Sequence, residues 1–409
     1  MKLELAMASR LSLKAPGISV AVAGIALSVA VMIVSLAIVS GFKRQIREKV
    51  TGFEHEISVF PLDSYGAEHT SSGIRLTPEL VADIQSAIPG AEISLGLRQP
   101  AILKTDSDFE GVVMMGVDKN GNDFIDNQLI QGSAPDWASP GEGNPVAVSA
   151  STAGALSLEC GDRLFAHFFI GDNLYTRKIT VAAIYDTHFG EYDKLFVFAP
   201  VGMLQQLCGV DSLTGSVVEI DKISGDIDEA AANLRYELCR REAADPVDAP
   251  AYRVESISTT AALYFNWLDL LDTNIIVIIT LMGCVAGFTL VSCLFIIVLE
   301  RVRMIGLLKA LGATDSLIRR LFIYMAARLV VRGLVIGNAA ALAIVGIQYF
   351  WHILPLDPDA YYLSYVPVHV SWAAIAGLDI SVIAAALLLL VLPSHIISTL
   401  SPAETMRYE

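Results

Sequence analysis

The sequence predicts a membrane protein in which four transmembrane helices carry one large α/β domain, inserted between the first and second helices. Of its 409 residues, 54% are hydrophobic and only 17% are charged, with a mean hydropathy of +0.55. Soluble domains usually carry about a quarter charged residues, so this composition indicates a lipid-embedded portion. The net charge of −15 argues against nucleic-acid binding, because neutralising phosphates requires clustered Lys and Arg.

Four apolar stretches are each long enough to cross a bilayer core about 30 Å thick, which needs about 20 helical residues. We predict transmembrane helices at 18–42, 273–299, 321–351 and 371–397. The first stretch is about twice as long as the apolar region of a signal peptide, and no A-x-A cleavage site follows it. We therefore expect it to remain as an anchor.

Charge predicts the orientation of these helices. Residues 51–270 hold 33 acidic and 13 basic residues, whereas three other segments together hold 9 basic and 5 acidic residues: 1–17, 300–320 and 398–409. Positive charge favours the cytoplasmic side, so both termini and the 300–320 loop are predicted to be cytoplasmic. The domain at 43–270 and the loop at 352–370 then lie outside. Two groups of aromatic residues would form an interfacial belt there: Tyr264, Phe265 and Trp267, and Tyr349, Trp351, Tyr361, Tyr362, Tyr365 and Trp372.

Four cations contradict this pattern, because they follow the first apolar stretch on its outer side: Lys43, Arg44, Arg47 and Lys49. Long translocated domains often override such local charge, so we keep the orientation.

Residues 43–270 have the alternating patterns of a mixed α/β domain. Predicted strands are Ile57–Phe60, Val112–Val117, Asp162–Ile170, Lys178–Tyr185 and Ser216–Ile220. Predicted helices are Thr77–Ile88, with Thr77 as the cap and Pro78 in the first turn, and Asp226–Glu242. Gly171, Asp172 and Asn173 predict a hairpin turn, and the Pro/Gly-rich stretch 132–145 predicts an exposed loop.

No catalytic constellation is predicted. The sequence has no GxxxxGK[ST] phosphate loop, no HExxH, no GxSxG and no Cys/His cluster at metal-ligand spacing. Four scattered histidines are interpreted as ordinary surface or core residues: His55, His69, His167 and His188. The external domain has three cysteines, Cys160, Cys208 and Cys239, and an odd number predicts at least one free thiol.

The segment 300–313 carries the clearest pattern. Met304, Leu307, Leu308 and Leu311 would form one apolar stripe of a helix, with small residues Gly306, Ala310 and Ala313 nearly opposite and Arg303 beside them. Gly312 would end this helix, and Thr314 or Asp315 would cap the next one. Small side chains allow another surface to approach closely. From the pattern alone, the segment is either a partner-docking helix or a plain amphipathic connector.

This segment resembles the ERxREIGxLKALGA coupling helix of FtsX/MacB-type permeases of ABC transporters, from Glu300-Arg301 to Lys309-Ala310-Leu311-Gly312-Ala313. Several other segments resemble lipoprotein-releasing permeases of the LolC/LolE type: Ser40-Gly41-Phe42 with Gly52, 161–163, 184–187, 356–362, 366–368 and 401–404. These matches occur in the family's order over about 400 residues.

The resemblance implies a non-catalytic permease subunit of the inner membrane, whose outer domain is periplasmic and MacB-like. A separate LolD-like ABC ATPase would bind ATP and Mg²⁺, and this chain would hold no cofactor. Other implied partners are a second permease chain in a homo- or heterodimer, a lipoprotein substrate, membrane lipid and a periplasmic lipoprotein carrier. Residues implied to couple to the ATPase are Glu300, Arg301, Arg303, Ile305, Gly306, Lys309, Ala310, Gly312 and Ala313.

Two alternative functions remain open. MacB-like chains export peptides or amphiphilic drugs, and FtsX-like chains signal across the membrane to cell-wall hydrolases. The sequence also departs from LolC-type chains, because the compact turn 169–175 occupies the position of their carrier-binding loop. Capture of a carrier by this chain is therefore in question.

Some residues within the apolar stretches have their own predicted roles. Arg328 and Arg332 lie one turn apart in the third stretch, and buried charge is costly and often functional, although long side chains also snorkel to the interface. Asp379 is predicted to be interfacial. Two pairs with GxxxG spacing predict close helix packing: Gly283 with Gly287, and Gly333 with Gly337.

Overall fold

A computed structural model describes residues 16–62, 73–139, 141–170, 173–244, 250–300 and 302–389. Its helices, in chain order, are α1 (Pro16–Glu54), α2 (Pro78–Ala87), α3 (Asp123–Asp126), α4 (Ala150–Leu156), α5 (Gly190–Leu195), α6 (Val201–Cys208), α7 (Ile227–Ala244), α8 (Ile257–Thr260), α9 (Ala262–Glu300), α10 (Val302–Ala310), α11 (Asp315–Trp351), α12 (Pro358–Tyr361) and α13 (Trp372–Leu389).

The strands all belong to the segment between α1 and α9. They are β1 (Ile57–Pro61), β2 (Ile74–Arg75), β3 (Glu92–Lys104), β4 (Phe109–Val117), β5 (Leu129–Gly132), β6 (Pro145–Ser149), β7 (Arg163–Ile170), β8 (Asn173–Tyr185), β9 (Phe196–Pro200), β10 (Thr214–Gly215), β11 (Val217–Asp221) and β12 (Tyr252–Ser256).

The chain forms two compact units. The membrane unit comprises the described residues of 1–44, 268–355 and 365–409, and the α/β unit comprises those of 45–267 and 356–364. The predicted domain at 43–270 therefore gains part of the loop between the third and fourth predicted transmembrane helices.

Four described helices are long and apolar enough to cross a membrane: 19–54, 262–300, 316–351 and 372–389. Each contains all but at most one residue of the described part of one predicted apolar stretch. However, α1 continues to Glu54, well past its predicted end, because Ile46, Val50 and Phe53 extend the buried helical stripe. Helix α11 begins at Asp315, earlier than predicted. Three predicted parts lie outside the described residues: residues 1–15 of the 1–17 segment, residues 390–397 of the fourth stretch, and the 398–409 tail.

Apolar side chains from all four long helices form the core of the membrane unit. Val29 and Met32 of α1 pack with Leu290 of α9, Val330 of α11 and Leu378 of α13. This core fixes the mutual positions of the four helices within the unit.

One subdomain of the α/β unit is built around a closed ring of strands. β3 pairs with β4 and β7, β4 pairs with β9, β9 with β6, β6 with β8, and β8 with β7. Alternate residues of these strands face inwards, and Leu103, Met114, Val181 and Phe168 are buried in the enclosed core.

A second core lies where β3 extends beyond the ring. There the strand order continues as β3, β11, β1 and β12, and Leu80 of α2 and Leu234 of α7 pack on Val59 and Val218 of these strands. Thr77 caps α2 by accepting a hydrogen bond from the Leu80 amide at 3.2 Å, with Pro78 in the first turn, which confirms that prediction.

The five predicted strands are present as β1, β4, β7, β8 and β11. Gly171 and Asp172 of the predicted hairpin turn lie outside the described residues, although β7 and β8 pair up to Ile170 and Asn173. The predicted loop at 132–145 runs from the last residue of β5 to the first of β6.

The described cysteines and histidines of the α/β unit are not grouped as metal ligands. Among the described residues, no group of His, Cys, Asp and Glu is arranged to hold a metal ion. Cys160, Cys208 and Cys239 are all free thiols, as the odd count predicted for at least one. His167 lies 2.9 Å from the Thr176 hydroxyl, whereas His69 lies outside the described residues.

Candidate coupling segment and intramembrane residues

The segment predicted to bind a partner forms a short helix with a well-defined end. Helix α10 stops at Ala310, and Gly312 adopts a φ of +89°. The Gly312 amide donates to the Lys309 carbonyl at 3.0 Å, and the Ala313 amide donates to the Leu308 carbonyl at 2.9 Å. This pair of bonds is the Schellman motif, which favours glycine at the left-handed position, so the predicted stop at Gly312 is confirmed.

The next helix begins directly after this turn. Thr314 is the N-cap of α11, with an extended backbone, and its hydroxyl lies 3.1 Å from the Ser316 hydroxyl. Thr314 or Asp315 was predicted to cap this helix, and Thr314 occupies the N-cap position. Its side chain makes no capping hydrogen bond.

Exposure to solvent does not separate the predicted apolar stripe of α10 from the predicted small-residue face. Leu307 is 61% and Leu311 77% exposed, and Ala310 is exposed, whereas Gly306 is buried. Among the predicted small-residue positions, Ala310 is thus the one whose side chain the described structure leaves open. The assignment of a docking face to these residues stays a prediction. The side chains of Arg301, Arg303 and Ile305 lie outside the described set, and Glu300 is exposed at the end of α9.

The turn after α10 packs on a buried cluster of the membrane unit. Ala313 contacts a cluster that contains Ala21 of α1, Ile297 of α9, and Ile318 and Phe322 of α11. Because close-packed cores transmit displacement rather than absorb it, a force applied to α10 reaches three long helices through this cluster.

The two arginines predicted within the third stretch differ in burial. Arg328 of α11 is half-buried, and Arg332, one turn further along, is exposed. Both lie about 20 Å or more along α11 from its first residue, so they are separate from the turn that follows α10. Their functional role stays a prediction.

A polar contact between two membrane helices was not predicted from the sequence. The Asn338 side-chain amide of α11 donates to both carboxylate oxygens of Asp379 in α13, at 3.1 and 3.2 Å. Asp379 lies about 10 Å along α13 from its start, so it contacts a neighbouring helix instead of simply lying at the interface as expected. A single asparagine in an apolar run has no spacing that would identify its partner.

The four GxxxG glycines have different surroundings. A Cβ atom at Gly333 would lie 2.6 Å from Ile25 Cγ2, and one at Gly337 would lie 2.7 Å from the Ala26 carbonyl oxygen. These two glycines therefore allow α11 to approach α1. A Cβ at Gly287 would meet the flexible end of Leu389, and one at Gly283 would meet nothing within 4 Å.

In the α/β unit, buried charges hold the end of α1 against the sheet. Arg98 of β3 pairs with Glu54 at 3.1 Å and with Glu219 of β11 at 3.5 Å. His55 pairs with Glu219 at 3.1 Å and with Asp221 at 2.6 Å. Burial alone would lower the pKa of His55, but the two carboxylates outweigh it and raise this pKa to about 10.

A second contact region lies beside these charges. The Lys49 ammonium donates to the carbonyls of Thr187 and Tyr362, and the Tyr264 hydroxyl donates to Glu191 at 2.6 Å. The Phe189 ring centroid lies 4.8 Å from that of Tyr362 and 5.1 Å from that of Tyr264. Tyr264 and Tyr362, which were predicted in an interfacial belt, join α1, α9 and the 356–364 segment inside the α/β unit. The belt itself stays a prediction.

The described part of the chain therefore has four helices that can span a membrane, an α/β unit inserted between the first two, and a short helix between the second and third. This arrangement is that of a membrane protein with a large inserted domain. Sequence models of two families match this chain: the MacB-like periplasmic core domain over residues 19–235, and the FtsX-like permease C-terminal region over residues 276–402. The first match covers more than half of the chain. The chain therefore belongs to the family of permeases that combine these two regions.

Relatives named as lipoprotein-releasing system transmembrane proteins match nearly the whole chain. The chain is 22% identical over 394 residues to LolC of Xylella fastidiosa (strain 9a5c), covering 92% of this chain and 90% of that protein. It is 24% identical over 401 residues to LolC of Neisseria meningitidis serogroup B, covering 91% and 90%. It is 22% identical over 391 residues to LolE of Haemophilus influenzae, covering 91% and 89%.

Solved structures of external domains are also similar to part of the chain. The extracellular domain of the ABC-type transporter YknZ matches with a TM-score of 0.33 and 12% identity, covering 49% of this chain and 99% of that one. The periplasmic region of MacB from Actinobacillus actinomycetemcomitans matches with a TM-score of 0.32 and 13% identity, covering 54% and 98%. Together, the family matches identify an ABC transporter permease of the inner membrane with a periplasmic domain.

Proposed function

We propose that this chain is the permease subunit of an ABC transporter that releases lipoproteins from the outer leaflet of the inner membrane. A separate ATPase, which binds ATP and Mg²⁺, docks on α10 from the cytoplasm, where both termini of this chain also lie. A second permease chain completes the complex, and a periplasmic carrier receives the cargo.

The observation that carries this proposal is the construction of α10. It is a short helix that ends in a Schellman turn, exposes Leu307, Ala310 and Leu311, and packs through Ala313 on the ends of three long helices. A helix built in this way offers a surface to a partner and has a rigid connection to the rest of the membrane unit. The relatives named LolC and LolE favour lipoproteins as the cargo.

An energy source outside this chain is required by the cargo itself. Moving an acyl chain from lipid into water costs about 0.8 kcal/mol for each CH₂ group. The cost summed over several chains is too large for spontaneous release, so an ATP-coupled step and an apolar receiver are both needed. Phe169 of β7 and Leu174 of β8 are exposed, but the stretch of sequence that joins these two strands is short, so we assign carrier capture to the complex and not to this chain specifically.

Docking on α10 is tested by Ala310→Glu. We expect this variant to insert and purify normally but to lose its co-purifying ATPase, because a charged, longer side chain replaces a small exposed one. Ala310→Ser keeps the side chain small and is the matched control, which should retain the ATPase. An ATPase that still binds Ala310→Glu and hydrolyses ATP at the normal rate would show that the docking surface lies elsewhere.

The cargo is tested by depleting the chain in cells and measuring which lipoproteins remain in the inner membrane. Retained lipoproteins are the expected result. Normal lipoprotein sorting together with lost export of an amphiphilic drug would instead favour MacB-like efflux. Normal sorting with defective cell-wall cleavage would favour FtsX-like signalling.

A further inference from the structure

The outer face of the ring of strands carries a row of exposed aromatic rings and lysines. Lys104 of β3 is paired with Phe109 of β4 and with Phe165 of β7, and Phe165 is paired in turn with Lys178 of β8. Leu103, which precedes Lys104, is fully buried, so the row points away from the core, because successive side chains of a strand face opposite sides. Phe109 is 73% and Phe165 52% exposed, and both lysines are exposed. Across the four strands, this alternating row therefore reads ring, cation, ring, cation.

Two further rows continue the same face along the strands. The second is centred on Ile102 and His167, which are paired with each other, and the third on Pro100 and Phe169 at the next outward positions. None of the three rows, whose residues all lie in described strands, contains an acidic residue. Residues 51–270 as a whole contain 33 acidic and only 13 basic residues. The face is therefore a basic and aromatic surface on an acidic domain.

The size and the open lysines of this face indicate an interaction site. With about 4.8 Å between strands and about 7 Å between rows, three rows across four strands cover roughly 400 Å². Exposed patches of this size that are rich in apolar side chains are often functional. In the described part of the chain, neither Lys104 nor Lys178 forms an ion pair, so both ammonium groups are available to a partner.

The alternating row is complementary to itself. A two-fold rotation about an axis that runs parallel to the strands, between β3 and β7, reverses the order of the row. Lys104 of one copy then faces Phe165 of the other, and Phe109 faces Lys178. An ammonium group over a phenyl ring is a favourable cation–π pair, and symmetry makes each of these two pairs occur twice.

The same rotation also matches the remaining rows. Ile102 faces His167 of the second copy, and Pro100 faces Phe169, so that apolar surface meets apolar or aromatic surface. It keeps the strand directions of the two copies aligned, as in most pairs of sheets that pack face to face. An axis across the strands would instead set Lys104 on itself or on the aliphatic Ile102 or Pro100. An acidic partner would complement the lysines but not the rings between them.

We propose that the outer face of β3, β4, β7 and β8 binds the same face of a second copy of this chain, so that two periplasmic domains meet through it. Two such faces bury roughly 800 Å² together, less than the about 1,200 Å² of a stable interface. The contact therefore forms between copies that one complex already holds together, where the effective concentration is high. It rests on the second permease chain of the proposed function, but not on the cargo or on docking at α10.

The test is cross-linking in intact spheroplasts with a short bismaleimide. The full chain carries His167→Cys, with its native cysteines replaced by serine, which leaves the alternating row intact. The two introduced cysteines lie on either side of the axis with their Cα atoms about 11 Å apart, from sheets about 10 Å and adjacent strands about 4.8 Å apart. We expect a cross-linked dimer of the chain. Arg177→Cys is the matched control and should give none, because Arg177 is exposed but is paired with the buried Ala166 on the other side of the sheet.

Substitutions in the alternating row test the pairing itself. In the His167→Cys chain, Phe165→Lys sets two lysines against each other and should abolish most of the cross-linked dimer, whereas Phe165→Tyr keeps a ring and should retain it. Combining Phe165→Lys with Lys104→Phe again places a ring opposite each lysine and should restore the dimer. Restoration by the second substitution would not occur if Phe165→Lys simply misfolded the domain.

Three results would overturn the proposal. Equal cross-linking with and without Phe165→Lys would show that the dimer does not depend on this row. Two copies of the chain in the purified complex by light scattering, but no cross-link from His167→Cys, would show that the copies meet elsewhere. A single copy in the complex, or a cross-link only to a different protein, would show that this face does not bind a second copy. Lipoprotein sorting and ATPase binding are measured separately, so that failure of the proposed function is distinguished from failure of this contact.

Discussion

At the scale of single residues, the charged side chains around the end of α1 depend on one another for their stability in a largely buried site. Arg98 and His55 supply positive charge to Glu54, Glu219 and Asp221. Burial would raise the pKa of Glu219, but His55 and Arg98 outweigh it and lower this pKa. Since an unpaired buried charge is strongly destabilising, each member of the set depends on the others.

This set predicts a pH dependence of the thermal stability. The pKa of His55 rises from an ordinary value of 6.5 to about 10 on folding. The contribution of protonated His55 to the stability of the folded state is therefore complete below pH 6.5 and is lost as the pH rises through about 10. We expect the Tm difference between the wild-type chain and His55→Gln, measured in detergent, to be largest near pH 6.5 and to shrink towards pH 10.

His167→Gln is the control, because His167 is hydrogen-bonded to the Thr176 hydroxyl rather than to a carboxylate. It should leave the pH dependence of the Tm unchanged. A Tm difference for His55→Gln that stays constant from about pH 6 to about pH 10 would contradict the assigned ionisation.

The sequence predicted little of this residue-scale chemistry. His55 has no neighbouring motif, and its partners Glu219 and Asp221 lie far away along the chain, 166 residues in the case of Asp221. The sequence predicted His55 as an ordinary surface or core residue, but it could not identify which charges surround this side chain.

At the scale of elements, the close approach of α11 to α1 depends on glycine. A Cβ at Gly337 would lie 2.7 Å from the Ala26 carbonyl oxygen and 2.9 Å from Val29 Cβ, and neither is the end of a flexible side chain. We expect Gly337→Ala to lower the stability of the membrane unit by about 1–3 kcal/mol, as overpacking typically does. Thermal unfolding in detergent measures this.

Gly346→Ala provides the comparison, because Gly346 lies in the same helix and a Cβ there meets nothing within 4 Å. It should be neutral or slightly stabilising, since alanine favours helix more than glycine does. If both variants unfold at the same temperature, α11 and α1 are not in close contact at Gly337.

The elements were predicted unevenly, for physical reasons. Long apolar runs identify membrane helices directly, because the bilayer sets their length. The strand β3 was missed because it contains Gly96, Arg98 and Pro100, of which the glycine and proline are unusual within strands. Its pairing with β4, β7 and β11 determines its conformation, and that pairing is not a local property.

At the scale of the whole molecule, the candidate coupling segment was predicted better than the contacts around it. The local sequence predicted helix α10, the glycine that ends it and the N-cap of the next helix. The contact between Asn338 and Asp379 joins residues 41 positions apart, and that between Lys49 and Tyr362 joins residues 313 positions apart. Such contacts depend on how helices and segments are arranged, which no single stretch of sequence specifies.

The orientation of the chain is tested with cysteine accessibility. The native Cys160 and Cys239 are exposed in the α/β unit, and Leu307 is exposed on α10. In intact spheroplasts, a membrane-impermeant maleimide should label the native cysteines. In a chain whose native cysteines are replaced by serine, Leu307→Cys should be labelled only after the membrane is permeabilised. Labelling of Leu307→Cys in intact spheroplasts would place α10 outside, where no cytoplasmic ATPase can reach it.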